Sequence, residues 1–212
     1  MADRSLVDKV NKLKIIGIDL VIKNLEHGII EINSISENVK TLVIPERTRI
    51  LESTEAFTII GLRHKIRVTT IKLPDTLETI GGCVFSSFRD LKEIHIPKRV
   101  EQIQEYAFSG CSHLTHIDLG ENLREIGESA FYKCPIRGNL KMPPNLEKLG
   151  YNCFSETDIG SIDFSDCVKL EIIGAFAFEK CNKLSSVVGL ENADMMHTAA
   201  FAGCLKLKMR KR

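Results

Sequence analysis

Leu91-Lys92-Glu93-Ile94-His95-Ile96-Pro97, followed by Val100, Ile103, Ala107-Phe108 and Cys111, decides the fold because the same spacing returns in the next stretch. There it reads Leu114-Thr115-His116-Ile117-Asp118-Leu119-Gly120, then Leu123, Ile126-Gly127, Ala130-Phe131 and Cys134. Working outward, the phenylalanine recurs at Phe57, Phe85, Phe108, Phe131, Phe154, Phe178 and Phe201, in steps of 28, 23, 23, 23, 24 and 23 residues. A fixed period of this size is the mark of a solenoid, in which each repeat is one coil stacked on the next. Stacked coils share one continuous core, so the 212 residues read as a single structural unit.

The opening segment of each coil alternates apolar and polar residues near its end, which is the periodicity of a strand with one buried face. Proline or glycine then stops it. The Ala-Phe segment is too short for a long helix and is expected to form a single helical turn on the opposite side of the coil. Each coil brings the chain back to the same edge, so the strands must run parallel and every template position becomes a column. One column holds the phenylalanines. A second holds Ile44, Leu73, Ile96, Leu119, Met142 and Phe164, and a third holds Ile80, Ile103, Ile126, Leu149, Ile173 and Met196. These columns are the expected core, with each Phe ring contributing about 3 kcal/mol by burial.

The Ile-Pro, Ile-Gly, Ala-Phe and Cys strings at these spacings resemble the BspA-type leucine-rich repeats, over roughly Val39 to Leu207. The resemblance implies an α/β, β-rich leucine-rich repeat solenoid of about seven right-handed coils, with a parallel strand sheet on one face. The shared residues are nearly all core positions, so the resemblance speaks to fold far more than to function. Members of this family include surface and adhesion proteins, which makes a cell-surface role one expectation. Residues 1–38 fall outside the repeat and are read as an N-terminal cap. In it Leu6, Val7, Val10 and Leu13 have helical spacing, and Ile15–Lys23 and Ile29–Ile35 form two strands. The array runs over 39–206, and 207–212 is a basic edge or tail.

Composition narrows the function. Basic and acidic residues nearly balance at 29 and 28, so no global charge draws the chain to nucleic acid or membrane. Trp is absent and Tyr numbers three, which removes the usual stacking platforms for single strands. No apolar run approaches a membrane span, and the N-terminus does not read as a secretory signal. The expectation is a cytoplasmic monomer, or a surface protein if the chain is exported unconventionally or is a fragment. The phosphate-cradling, zinc-hydrolase and serine-elbow motifs are all missing, so no enzyme and no cofactor is expected. The glycines that follow the Ile column (Gly81, Gly127, Gly150 and Gly174) mark a backbone turn and not a phosphate site.

Four cysteines, Cys111, Cys134, Cys181 and Cys204, stand three residues after the ladder Phe. With no C-x-x-C and an odd total of seven, they read as free buried thiols filling a small apolar slot. A disulfide between neighbours such as Cys111 and Cys134 stays open on the coil spacing alone.

What remains free to encode function is the outward strand positions, the long first coil and the two ends. The outward residues are third and fifth in each opening segment. They place Glu93, His95, His116 and Asp118 on two neighbouring strands, flanked by Lys72, Lys141 and Asp163. The leading expectation is a protein partner bound across this face. A zinc site among the two histidines and carboxylates is a competing reading, against a plain cross-strand polar patch. A third is contact with polyanions or a membrane surface through Arg63, His64, Lys65 and Arg67 in the Thr58–Arg67 insertion and through the tail Lys206–Arg212. Against that stand a solvated loop and a charged edge that discourages end-to-end stacking.

Overall fold

The computed structural model describes residues 18–24, 27–36, 38–53 and 66–208, together with residue 8. Phe57, the helical spacing from Leu6 to Leu13, most of the Thr58–Arg67 insertion and the last four residues lie outside the described residues.

Sixteen strands follow in order. β1 (Ile18–Asn24) and β2 (Ile29–Ile35) form the antiparallel hairpin expected before the repeat. Each coil then contributes two strands to two walls. The first wall carries β3 (Thr41–Val43), β5 (Thr70–Lys72), β7 (Glu93–His95), β9 (His116–Asp118), β11 (Arg137–Lys141), β13 (Asp158–Asp163) and β15 (Ser186–Val188). The second carries β4 (Ile50–Ser53), β6 (Thr79–Ile80), β8 (Gln102–Ile103), β10 (Glu125–Ile126), β12 (Lys148–Leu149), β14 (Ile172–Ile173) and β16 (Met195–Met196).

The walls differ from the one-sided sheet expected. The second wall joins the hairpin in one nine-stranded sheet ordered β1-β2-β4-β6-β8-β10-β12-β14-β16, parallel from β2 onward. The first wall is broken into three pieces, β3-β5, β7-β9 and β11-β13-β15. At the break before β11, Ile136 is buried, while Arg137, which stands where Leu114 stands one coil earlier, is exposed. The core residue therefore arrives one position early, and Gly138 at φ 88° and a register shift at Gly138/Asn139 take up the slack.

The third side of each coil corrects the α/β expectation. Apart from residue 8, the helical content among the described residues is one 3₁₀ turn, Leu190–Asn192, so the array is a β-solenoid without the expected helical turns. Around each ladder Phe the chain makes consecutive turns instead. Cys83, Tyr106, Ser129, Asn152 and Phe176 have positive φ of 52° to 57°, and Ser87, Gly110, Lys133, Glu156 and Lys180 return to positive φ four residues later. Such reversals of φ are incompatible with a helix. They are held because alternate amides leave the coil: Phe108 N–H donates to Ala130 O at 2.8 Å, and Phe131 N–H to Cys153 O at 2.8 Å. On the second wall the bonds point the other way along the stack, as in Gly127 N–H to Ile103 O at 2.7 Å.

The predicted columns form the core. Ring centroids along Phe85, Phe108, Phe131, Phe154, Phe178 and Phe201 are 5.2, 5.1, 5.1, 5.6 and 5.2 Å apart, and beyond Phe108 the planes are within 7° of parallel. The Ile column is buried from Ile80 to Ile173 and opens only at Met196 in the last coil.

All seven cysteines are free thiols, five of them buried and Cys83 and Cys204 half-buried. The slot after the Phe has a chemical reason beyond size. Cys111, Cys134, Cys181 and Cys204 donate S–H to the carbonyl of the ladder Phe one coil earlier, at 3.2, 3.1, 3.2 and 3.0 Å. Burial pushes the thiols of Cys134 and Cys153 well up, and that of Cys167 up to about 11.

Candidate functional site

The alternation of the strands turns Glu93 and His95 of β7, and His116 and Asp118 of β9, away from the core, with Ile94 buried between the first pair and Ile117 half-buried between the second. In the parallel register Glu93 lies opposite His116, and His95 opposite Asp118. One of these pairs closes: His95 Nδ1 is 2.7 Å from Asp118 Oδ2, with the two side chains 73% and 72% exposed. His116 Nδ1 instead meets the Thr115 hydroxyl at 2.9 Å.

The flanking residues lie in neighbouring coils, outside the ladder that joins these four. Lys72 is exposed on β5, which has no ladder pairing to β7, and Lys141 is on β11, beyond the break after β9. Lys141 Nζ bonds the Asp166 carboxylate at 2.7 Å. Asp163 accepts the Ser165 N–H at 2.8 Å, so it fastens the turn after its own strand, and the Ser165 hydrogen bonds hold its carboxyl below the usual range. The site therefore contracts to a cross-strand quartet in which one His–carboxylate pair is closed. Among the described residues no three His, Cys, Asp or Glu side chains are placed to hold a metal ion. Of the insertion, Arg67 is described, and its guanidinium reaches Asp90 at 3.5 Å.

The sequence reading passed over the outer face of the second wall. Two-residue strands such as Gln102–Ile103 are too short to show a period, although the charged column Glu78, Glu101, Arg124, Glu147, Glu171 and Asp194 repeats at coil spacing. A groove of about 560 Å³ opens there, lined by Gln102, Gln104, Glu105, Glu125 and Glu128 with Ile103 and Gly127. Glu125 pairs with Lys148 at 2.8 Å and Glu128 accepts the Tyr106 hydroxyl at 2.6 Å. The Glu105 carboxylate has no ion pair or hydrogen bond among the described residues.

The sequence matches the BspA type leucine rich repeat region over residues 62–170 and 168–211, in six copies. No curated protein sequence matched the chain significantly. Among solved structures, a leucine-rich repeat protein from Bacteroides ovatus is 26% identical with a TM-score of 0.57, covering 79% of this chain and 47% of its own, so the chain spans about half that protein's length. The leucine-rich repeat protein of T. pallidum is 19% identical with a TM-score of 0.69, covering 90% of this chain and 88% of its own, a likeness of fold. No helix among the described residues is long and apolar enough to cross a membrane. With a family match over most of its length and a coil stack built on the ladder that this family's repeat encodes, the chain belongs to the BspA-type leucine-rich repeat family.

Proposed function

We propose that the chain is a non-enzymatic protein-binding module whose first wall receives a partner at Glu93, His95, His116 and Asp118. The observation that carries this reading is the exposed His95–Asp118 pair, set opposite Glu93 and His116 in register on one short two-stranded sheet. These side chains contribute little to the core, so the fold does not account for them. Two imidazoles beside two carboxylates offer both signs of charge within a few ångströms, which favours orientation and selectivity over raw affinity. Lys72 and Lys141 flank the quartet and extend the mixed field along the wall, and Asp163 contributes through its charge while its oxygen caps the turn.

The test compares proteins captured from the source cell by the native chain with those captured by Glu93→Ala/His95→Ala/His116→Ala/Asp118→Ala, matched in thermal unfolding. A partner retained by the native chain and lost by the variant supports the reading. A partner held equally by both sinks it.

A further inference from the structure

The outer face of the nine-stranded sheet changes character along the stack. In the coils of β8 and β10 its outward side chains are Gln102, Glu105, Glu125 and Glu128, which line the open groove. In later coils the equivalent positions turn largely apolar or aromatic, after Lys148. The register runs Glu125, Lys148, Ile172, Met195 along one column, and Tyr151 follows Glu128 at coil spacing in another. Tyr151 is 46% exposed and Met195 62% exposed. Tyr151 packs edge-on against the half-buried Phe176 at 5.6 Å, and Phe176 lies 6.5 Å from the His197 ring. Tyr151 and Met195 stand in slots where earlier coils hold glutamate and glutamine, Phe176 where they hold Asn152, Ser129 and Tyr106, and tyrosine, phenylalanine and methionine are the residues that interface centres enrich.

We infer that this face is a docking surface, separate from the first wall, for an extended segment of another protein that carries lysine or arginine beside apolar side chains. Charge complementarity fixes the sign of the occupant. The groove holds three carboxylates, and that of Glu105 is exposed with no ion pair or hydrogen bond among the described residues, so a cation brought there can pair with it without displacing a protein partner. The same carboxylates repel nucleic acid and anionic lipid. The neighbouring Tyr151, Phe176 and Met195 supply area that a purely basic chain leaves uncovered. The face is open along the stack, which suits a segment lying across several coils better than an enclosed small molecule.

The test uses the full chain and short fluorescent peptides of three compositions, Leu with Lys, Leu with Glu, and Ser with Lys, read by anisotropy. The Leu/Lys peptide is expected to bind at least about tenfold more tightly than either control. Glu105→Gln/Glu128→Gln and Tyr151→Ser/Met195→Ser are each expected to weaken it about tenfold. His116→Ala/Asp118→Ala on the first wall is expected to leave it unchanged, which keeps this surface distinguishable from the partner site proposed above. Equal binding of Ser/Lys or Leu/Glu, or indifference to the groove and Tyr151/Met195 variants, overturns the inference. So does sedimentation showing that the native chain self-associates through this face and that Tyr151→Ser/Met195→Ser abolishes the association. Since that variant removes packed surface, amide exchange on the native chain gives a reading without substitution. Peptide-dependent protection at residues 102–105 and 125–128 supports the inference, and protection confined to 93–95 and 116–118 overturns it.

Discussion

Each coil feeds both walls, yet the second wall is one unbroken sheet from the hairpin to Met196 while the first is three short pieces. From β6 onward the unbroken wall is made of two-residue strands, while the broken one has strands up to six residues long. Strand length is thus the wrong guide to which wall ties the coils together. The second wall is continuous because its spacing from the Phe column is kept from coil to coil, with an amide such as Gly150 N–H donating to Ile126 O at 2.8 Å at every step. The first wall absorbs irregularities of the repeat, as at Ile136 and Gly138, where the ladder from β9 ends and β11 shifts register against β13. Coherence lies on one side of the solenoid and variation on the other.

The ladder that both walls share is where that contrast breaks most severely. Phe131 is stacked on both faces at 5.1 Å and is fully buried, so Phe131→Ala is expected to cost about 3–5 kcal/mol in denaturant unfolding. Phe201 is stacked on one face and only half-buried, so Phe201→Ala is expected to cost clearly less. Equal losses would mean that the last coil is as tightly packed as the middle. A pair of glycine substitutions separates the walls themselves. A Cβ at Gly150 would come within 2.7 Å of backbone atoms of Glu128 and Gly127, so Gly150→Ala is expected to destabilise by about 1–3 kcal/mol. Gly138, on the first wall, has open space around the same position and only its φ of 88° to oppose a side chain, so Gly138→Ala should cost about 1 kcal/mol. The reverse order would place the coherent wall on the other side.

Much of this was legible from spacing alone. A period of 23 residues fixed the columns, and Phe108, Ile103 and Ile96 are buried where the columns put them. The second wall was not legible, because a strand of two residues leaves no alternation to detect and its Ile reads as a core position and nothing more. The turns around the Phe are not legible as turns, because only Gly110 and Gly203 put a glycine between the Phe and the slot three residues later. The left-handed residues there include Cys83, Tyr106, Ser129 and Phe176, whose identities give no hint of positive φ, and Asn152 alone in that slot is a type that favours it. Of the candidate site, the pairing of β7 with β9 was legible from coil spacing. The withdrawal of Asp163 and Lys141 into local contacts was not, because it depends on Ser165 and Asp166 in the turn that follows.

The thiols sharpen the picture at intermediate size. Cys134 serves the ladder by donating to the Phe108 carbonyl, a contact that Cys134→Ala deletes, at an expected cost of about 1–2 kcal/mol. Cys204 sits in the equivalent slot of the more open last coil and is only half-buried, so reagent reaches its sulfur before those of its buried counterparts. Labelling with an aromatic disulfide reagent at neutral pH should therefore modify Cys204 well before Cys111, Cys134 or Cys153, read by peptide mass. Simultaneous labelling of all seven would show that the coils open together.

The smallest expected effect falls on the first wall. His95 and Asp118 are both about three-quarters exposed, and an ion pair in that setting contributes little, since water solvates each partner nearly as well as the other does. His95→Ala is expected to shift stability by no more than about 0.5 kcal/mol. The same substitution is expected to weaken the partner that the quartet receives. A stability loss as large as that of Gly150→Ala would make His95 part of what ties the coils together, and would remove the reason for assigning it to a partner. A small loss of stability together with a large loss of binding would put the cost of the pair where the broken wall predicts it, in recognition.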